Sequence, residues 1–466
     1  MLRLSRIMTE RPPPSAASLT WRLSEAVPSV AMSADVLLRQ RLAALSSIGF
    51  LLGYYAMHNQ WLQVAWVGCL TVAWLSVGGF QDFIDGLRLD RWLFAVAGLA
   101  LLMLARSSVL DSPGITMKAL WQGWFGTGLL MLVLMTLWSV ARQPRAPVWL
   151  GVPLVSVAVL TALGSMVVFY SLDDTAVFGR SLRNWFIYGG WNSVCTGMTF
   201  GFAAMWATLS WHRETARQER LLWLAAAVAL IFATLLTSSR GALLALGMAH
   251  GSWLLAVGWR RAVKPVLLLL GCALLFQASS PLIISLAKKD VSRQLGVSET
   301  EITTSMLMEG GVATNPAARA IERADNGRFA IYSAGVSSMT TWQEWLVGKG
   351  LWSDNDSWSC SLWWYPEHLH SIFMDALVRG GLMGLGGLLF IIGWGLRRAW
   401  QLARQGEEFW FILAVFGITG LLFDGDSAFS MLTIPRFETL LLWVPLVIAS
   451  ARHVAANGFA KPVITS

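Results

Sequence analysis

The chain is a series of apolar runs separated by short polar segments. Twelve runs approach the ~20 residues that a helix needs to cross a hydrocarbon core about 30 Å thick. They lie at residues 40–57, 62–80, 92–105, 120–140, 148–170, 185–210, 221–237, 241–258, 264–285, 370–396, 409–423 and 437–451. The pattern predicts an all-α fold, a polytopic transmembrane helical bundle of about twelve helices.

One polar segment is much longer than the others. Residues 286–369 have the composition of a soluble domain, and a stretch with apolar residues at helical spacing begins at Arg328. We therefore expect one large loop that contains short helices. The predicted organisation is a disordered N-terminal tail (1–39), nine helices (40–285), the loop (286–369), three helices (370–451) and a C-terminal tail (452–466).

Composition supports a membrane protein. Hydrophobic residues make up 55% of the chain and charged residues 13%, whereas a soluble domain carries roughly a quarter charged residues. A net charge of +8 would suggest nucleic acid as the partner of a soluble protein. Here 21 of the 35 Lys and Arg residues fall in the tails and short connections on one side of the predicted bundle, and six in the short connections on the other. By the positive-inside rule both termini are cytoplasmic, the loop is extracytoplasmic, and no nucleic-acid partner is expected.

Two histidines, His368 and His370, lie where the large loop meets the tenth predicted helix. A neutral histidine can take a proton from an attacking hydroxyl, since its unperturbed pKa is about 6.5. His370 is therefore a candidate catalytic residue. The alternative is an interfacial histidine that only anchors the end of the helix.

Arg240 follows Ser238 and Ser239, which are good helix-capping residues, so a helix is predicted to begin at or just after Arg240. The N-terminus of a helix carries a partial positive charge, and a guanidinium can bind phosphate oxygens in bidentate fashion. The sequence thus predicts an anion site at Arg240. The alternative is an arginine that extends to the membrane interface.

Other charged residues are further candidates. Arg328 could reach the same anion if its stretch folds back onto the bundle, and it could equally be a solvated surface residue. Arg180 and Arg183 lie in another extracytoplasmic connection, and both could contact only lipid headgroups. Asp375 and Arg379, one turn apart in an apolar run, predict an internal ion pair. The further charged candidates are therefore Arg180, Arg183, Arg328, Asp375 and Arg379.

Three motifs in order resemble the O-antigen ligase and polymerase superfamily. They read SSRGALLAL, then NGRFAIYSAGVSSM followed by WLVGKGL, then HLHSIFMDALVRGGLMGL. Arg240, Arg328 and His370 occupy the positions of the family's arginines and histidine. The motifs cover residues 237–390, and the first half of the chain matches in topology only. Ser371 stands where the family more often has asparagine, a form closer to the ligases.

The resemblance implies a glycosyltransferase of the bacterial inner membrane that needs no metal or other cofactor. Its donor would be a glycan on undecaprenyl pyrophosphate, and its acceptor a hydroxyl of lipid A-core in the periplasm. Arg240 and Arg328 would bind the pyrophosphate, and His370 would act on the acceptor hydroxyl with inversion of the anomeric centre. Arg180, Arg183 and His368 would be secondary site residues. Membrane lipids would surround the bundle.

Two alternatives remain open at this stage. The first is the polymerase of the same superfamily, whose acceptor is another lipid-linked repeat unit. The second, from a different class, is a transporter or flippase of an anionic lipid-linked substrate, suggested by the basic outer rim and by Asp375 and Arg379. A transporter should hold its substrate near the bilayer midplane, whereas nearly all candidates here lie at the outer surface.

Overall fold

The chain forms a helical bundle. The computed structural model describes residues 34–110, 116–143, 146–172, 181–187, 192–296, 298–302, 307, 327–351, 368–423, 425 and 437–458. Within these residues every regular element is a helix and there is no strand. The predicted all-α fold is therefore confirmed.

Eleven of the described helices precede the loop region. They are α1 (Ala34–Ala56), α2 (Gln60–Trp74), α3 (Phe80–Leu89), α4 (Arg91–Leu110), α5 (Met117–Ala141), α6 (Ala146–Val167), α7 (Ser193–Arg213), α8 (Arg217–Leu236), α9 (Arg240–Val257), α10 (Trp259–Ala278) and α11 (Ser280–Leu295). The later helices are α12 (Arg328–Ser337), α13 (Trp342–Val347), α14 (Ile372–Arg404), α15 (Phe409–Phe423) and α16 (Val444–Gly458). Short π-helical turns at Leu75–Gly79, Val168–Leu172 and Thr439–Trp443 adjoin α2, α6 and α16.

Each of the twelve predicted runs overlaps at least one helix. Ten helical stretches among the described residues are long and apolar enough to cross a membrane, where α2 and α3 count as one stretch and α6 and α16 count together with their π-helical turns. Helix α15 is a shorter apolar helix. The chain is thus a multi-pass membrane protein. The short helices α12 and α13 lie inside the predicted loop, and α11 extends past residue 285 to Leu295.

Three predicted boundaries differ from the structure. The predicted run 185–210 begins before its helix: α7 begins at Ser193, where Asn192 caps it by accepting the N–H of Val194 at 2.9 Å. The run 264–285 is divided into α10 and α11, since a proline in the first turn of α11 has no N–H with which to continue the preceding helix. The tenth run begins at Ile372 instead of residue 370.

Ion pairs join the connections at one end of the bundle, which we call the opposite end. Arg452 bonds Glu407 at 2.6 Å and also donates to the carbonyl of Gln143 at 3.3 Å. Arg213 lies 3.5 Å from Glu408. The ends of α5, α7 and α14 and the last helix therefore meet there. The other end, where α9 and α14 begin, we call the site end.

A buried polar network ties four helices together towards the opposite end. Asp90 is fully buried just before α4, and its carboxylate accepts from the guanidinium of Arg398 on α14. Ser450 of α16 donates to the same carboxylate at 2.6 Å, and Trp138 of α5 donates to it at 3.0 Å. Asp90 also caps α4 by accepting the N–H of Trp92 at 3.0 Å. The network fixes α14, which carries part of the site, against α4, α5 and α16.

Replacing Arg398 with alanine is expected to lower the free energy of unfolding by about 3–5 kcal/mol, because the Asp90 carboxylate stays buried without its cation. Thermal unfolding of the purified protein in detergent would measure the loss as a fall in Tm. The exposed neighbour Arg397 provides the matched control, and Arg397→Ala should shift the stability by no more than about 0.5 kcal/mol. Equal loss in both variants would contradict the role given to the network.

Candidate active site

The connection between α8 and α9 places Arg240 at the start of a helix. Ser239 caps α9 by accepting the N–H of Ala242 at 3.3 Å, and Arg240 is the first residue of the helix. Ser238 has a φ of 54°, which few residues other than glycine adopt. The predicted helix start and serine cap are confirmed. The N–H groups of the first turn have no acceptor within their own helix, so this helix end attracts anions.

Close packing against α7 fixes the start of α9. A Cβ on Gly197 would collide with the side chains of Thr237 and Ser239, and a Cβ on Gly241 would collide with Met198. Small residues allow such close helix contacts inside membranes. The position of Arg240 is therefore set by buried contacts on both sides of the connection.

Arg183 lies near this connection. The N–H of Leu182 donates to the carbonyl of Leu236, the last residue of α8, at 3.0 Å. Asn184 is fully buried, donates to the carbonyl of Tyr55 at 3.1 Å and accepts the N–H of Phe186 at 3.0 Å. Arg183, between Leu182 and Asn184, is exposed at the site end.

The sequence interpretation missed Asn184, and only its place among apolar and aromatic neighbours could have indicated a structural role. Arg180, the other basic residue predicted in this connection, lies outside the described residues.

His370 precedes α14 in an unusual backbone conformation. Its φ is 52°, in the left-handed region, and it is half-buried. Ser371 follows and caps α14 by accepting the N–H of Met374 at 3.5 Å. Strained residues of this kind persist where the surrounding contacts hold them, and they concentrate at functional sites.

His368 supports that conformation. Its Nδ1 accepts the backbone N–H of His370 at 3.3 Å, and the centroids of the two imidazole rings are 4.0 Å apart. A neutral ring whose Nδ1 accepts must carry its proton on Nε2. His368 is therefore arranged as a partner of the His370 backbone.

Helix α12 packs onto the start of α14 and brings Arg328 with it. Tyr332 of α12 donates from its hydroxyl to the carbonyl of His370 at 3.4 Å. Ile331 is buried with Leu369, and the two belong to one small apolar cluster. Arg328 precedes Tyr332 by one turn and so shares its face of the helix.

The fold-back of the Arg328 stretch onto the bundle, which the sequence left open, is thus present. Tyr332, which links that stretch to His370, was not identified from the sequence. A tyrosine four residues after the arginine is a helical spacing that could have drawn attention to it.

Arg240 and His370 also lie at the same end of the bundle. Helix α15 packs between their helices: a Cβ on Gly420 would collide with Met198 and would contact Ala245 of α9. Past the end of α15, Gly425 lies against Ile372, the first residue of α14. Three helix starts, those of α9, α12 and α14, therefore gather at the site end.

The predicted pair of Asp375 and Arg379 is confirmed as an ion pair within α14. Their side chains are 2.8 Å apart, and the carboxylate is almost fully buried. Among the described residues, no group of three or more His, Cys, Asp or Glu side chains could hold a metal ion.

The arrangement suits chemistry on an anionic substrate. Two arginines, Arg240 and Arg328, each open a helix, so the guanidinium charge adds to the partial positive charge of the helix end. An imidazole that could take a proton lies at the start of a third helix. Such a site can bind a phosphate-containing group and act on a hydroxyl placed against it.

One comparison with known proteins agrees with this interpretation. The model of the family described as O-antigen ligase matches residues 225–391, from within α8 to within α14. No curated protein matches the chain. The matched segment contains Arg240, Arg328 and His370 together with all three sequence motifs. The resemblance to this family is therefore confirmed for residues 225–391.

Proposed function

We propose that this protein transfers a glycan from undecaprenyl pyrophosphate to a sugar hydroxyl of lipid A-core, the last step in forming mature lipopolysaccharide. The observation that carries the proposal is the placing of Arg240, Arg328 and His370 at three helix starts on one end of a membrane bundle. The match to the O-antigen ligase family over residues 225–391 supports an activity of the ligase or polymerase type. The donor and the acceptor are the parts that we propose.

The chemistry is a displacement at the anomeric carbon. The acceptor hydroxyl oxygen forms the new bond to this carbon while the bond to the pyrophosphate oxygen breaks, and the pyrophosphate leaves with the electron pair. The proton of the hydroxyl passes to His370. Attack from the side opposite the leaving group inverts the anomeric centre. No metal takes part in this scheme.

Arg240 and Arg328 act on the leaving group. Negative charge grows on the pyrophosphate as the glycosidic bond breaks, and fixed positive groups stabilise that charge without having to reorganise. Arg328 lies on the face of α12 that reaches the His370 carbonyl through Tyr332. The leaving group and the attacking hydroxyl would therefore be held close to each other.

The remaining candidates have supporting roles. His368 keeps His370 in its left-handed conformation through the bond from the His370 N–H. Arg183 extends the basic rim near Arg240 and would attract the anionic donor or lipid headgroups. Arg180 is proposed for the same rim on the strength of the sequence alone.

For the topology, we propose that the site end faces the periplasm and that both termini lie in the cytoplasm of a bacterial inner-membrane protein. The distribution of Lys and Arg residues between the two sides supports this orientation. The division into tails, helices and a periplasmic loop at 286–369 is proposed with it. The site then meets donor and acceptor on the outer face of the membrane.

A lipopolysaccharide gel of a deletion strain tests the proposal, with complementation by the wild type or by His370→Ala. Bare core with accumulated lipid-linked polymer, restored by the wild type only, is expected for the ligase. Core that carries a single repeat unit would indicate the polymerase. An unchanged ladder would contradict both assignments for lipopolysaccharide.

A transfer assay with purified protein separates an enzyme from a carrier. Product is expected from lipid-linked donor and acceptor alone, without an ion gradient or a second protein, and EDTA should leave the rate unchanged. A lack of product under these conditions, with transport into vesicles instead, would favour the transporter. The ion pair of Asp375 and Arg379 suggested that alternative, but Arg379 also donates to the carbonyl of Leu351 at 2.6 Å, which is a structural contact.

A further inference from the structure

Helix α14 contains a sharp break, and another segment of the chain is docked in it. Gly381 has a φ of 62° and a ψ of −165°, which are not helical values. In a regular helix the carbonyls of Val378 and Arg379 would accept from N–H groups four residues later, beyond this break. Here they accept from two consecutive N–H groups of residues 348–351, at 2.8 and 3.0 Å. We call residues 348–351 the docked segment.

The docking requires glycine on both sides. Gly348 has a φ of 75°, and a Cβ there would overlap the carbonyl group of Arg379. A Cβ on Gly381 would overlap the backbone of Gly348 and the carbonyl of Leu346. The two glycines therefore allow the chains to approach at backbone distance.

Helix α4 holds the docked segment from the other side. Arg106, near the end of α4, donates to the carbonyl of Gly348. The next residue, Ser107, accepts the N–H of Leu351 at 3.0 Å. Both groups are on a helix that the sequence motifs do not include, and the sequence interpretation gave Arg106 no role beyond topology.

Arg379 closes the arrangement. Its Nη1 donates to the carbonyl of Leu351 at 2.6 Å, while its Nε bonds Asp375 at 2.8 Å. The first and last carbonyls of the docked segment each accept from an arginine. Asp375 in turn lies one turn into α14 and donates its N–H to the carbonyl of Ser371, the residue after His370.

These contacts bear on the site because the docked segment follows α12 and α13 directly. Helix α12, which begins at Arg328, is attached to α14 at two levels: near His370 through Tyr332, and at the break through the docked segment. Residues 338–347 join α12 to the docked segment, so holding that segment restricts α12 in addition to the Tyr332 bond and the apolar cluster of Ile331 and Leu369. The break in α14 thus contributes to the distance between Arg328 and His370.

We propose that Arg106 and Arg379 are positioning residues for the proposed transfer: they hold the docked segment in the break of α14 and so set Arg328 against His370. This inference rests on the proposed function. The competing interpretation is that these two arginines bind the donor's phosphates directly, as we propose for Arg240. The two interpretations predict different effects of a lysine substitution. Lysine can donate to one carbonyl and so can replace a positioning arginine, but it lacks the guanidinium fork that bidentate phosphate binding needs.

The test combines hydrogen–deuterium exchange of residues 348–351 with transfer kinetics, using the full chain in detergent. In Arg106→Met the amides of the docked segment should exchange at least about tenfold faster. The kcat should fall about ten- to a hundredfold, with little change in the KM for the lipid-linked donor. Arg106→Lys should restore slow exchange and most of the rate. Ser108→Ala is the matched control, since Ser108 bonds Leu104 and Trp124 instead.

Ser107→Ala provides a milder second variant if Arg106→Met does not accumulate. It removes the acceptor for Leu351 only, so faster exchange at that residue with a smaller loss of kcat is expected.

Three outcomes would overturn the inference: unchanged exchange in Arg106→Met, fast exchange with full transfer, or an Arg106→Lys enzyme as impaired as Arg106→Met. The exchange measurement needs no substrate. If the wild type showed no transfer at all, the proposed function would fail, while exchange would still decide whether the arginines hold the docked segment.

Discussion

The His370→Asn enzyme is expected to transfer glycan about 10²–10⁴-fold more slowly than the wild type at equal protein level. Asparagine lacks a group that can accept the hydroxyl proton, yet it tolerates the left-handed conformation that His370 adopts. His370→Ala should lose as much activity, but alanine is also strained at this φ. The asparagine variant therefore separates the loss of the imidazole from the loss of the backbone conformation. Initial rates with purified protein and lipid-linked donor measure the effect.

A second substitution distinguishes proton transfer from positioning at the same residue. Glutamine can hydrogen-bond the acceptor hydroxyl but cannot take its proton, so His370→Gln should be as slow as His370→Asn if His370 is a base. His58 is an exposed histidine between α1 and α2, and His58→Ala serves as the control with an unchanged rate. Full activity in His370→Asn would remove His370 from the mechanism. Recovery in His370→Gln alone would make it a positioning donor.

The membrane helices could be predicted from the sequence because apolar length is a local property. A run of about twenty apolar residues spans a bilayer whatever it packs against. The start of α7 could not be placed in this way, since the apolar residues 185–187 extend the hydrophobic run before the helix, while residues 181–187 form no helix. They are kept out of one by Asn184, whose bonds reach Tyr55, 129 positions away in the chain. Such a contact leaves no local signal.

In the site, too, the features set by neighbouring residues could be predicted, and those set by contacts between distant residues could not. The start of α9 at Arg240 was predictable because the capping serines lie directly before it. The packing of α12 on α14 was not, since it depends on Tyr332 and on a break in α14 that no proline marks. The bond of Arg106 to Gly348 joins residues 242 positions apart. The paired glycines in GKG and RGG are a trace of the docking of residues 348–351 against α14, and they show a need for close approach without showing the partner.

Arg240→Ala is expected to lower kcat/KM by about 10²–10³-fold, because it removes a fixed donor from the charge that develops on the leaving pyrophosphate. Arg240→Lys should recover only part of this loss, since lysine keeps the charge but lacks the planar fork that binds two phosphate oxygens. Inorganic pyrophosphate gives an independent measurement. It should inhibit the wild type competitively against the donor and should bind Arg240→Ala more weakly. Arg293, an exposed arginine paired with Asp290, is the control, and Arg293→Ala should behave as the wild type.

Arg328 allows a sharper test of whether both arginines hold the same group. If Arg240 and Arg328 bind one pyrophosphate, the loss in the double alanine variant should fall short of the sum of the single losses in free energy, because residues that share a partner are not additive. Additive losses would place them on separate parts of the substrate, and the helix starts of α9 and α12 would then form two anion sites. Tyr332 joins α12 to His370. With additive losses, Arg328 would therefore lie next to the attacking hydroxyl, and Arg240 alone would stabilise the leaving group.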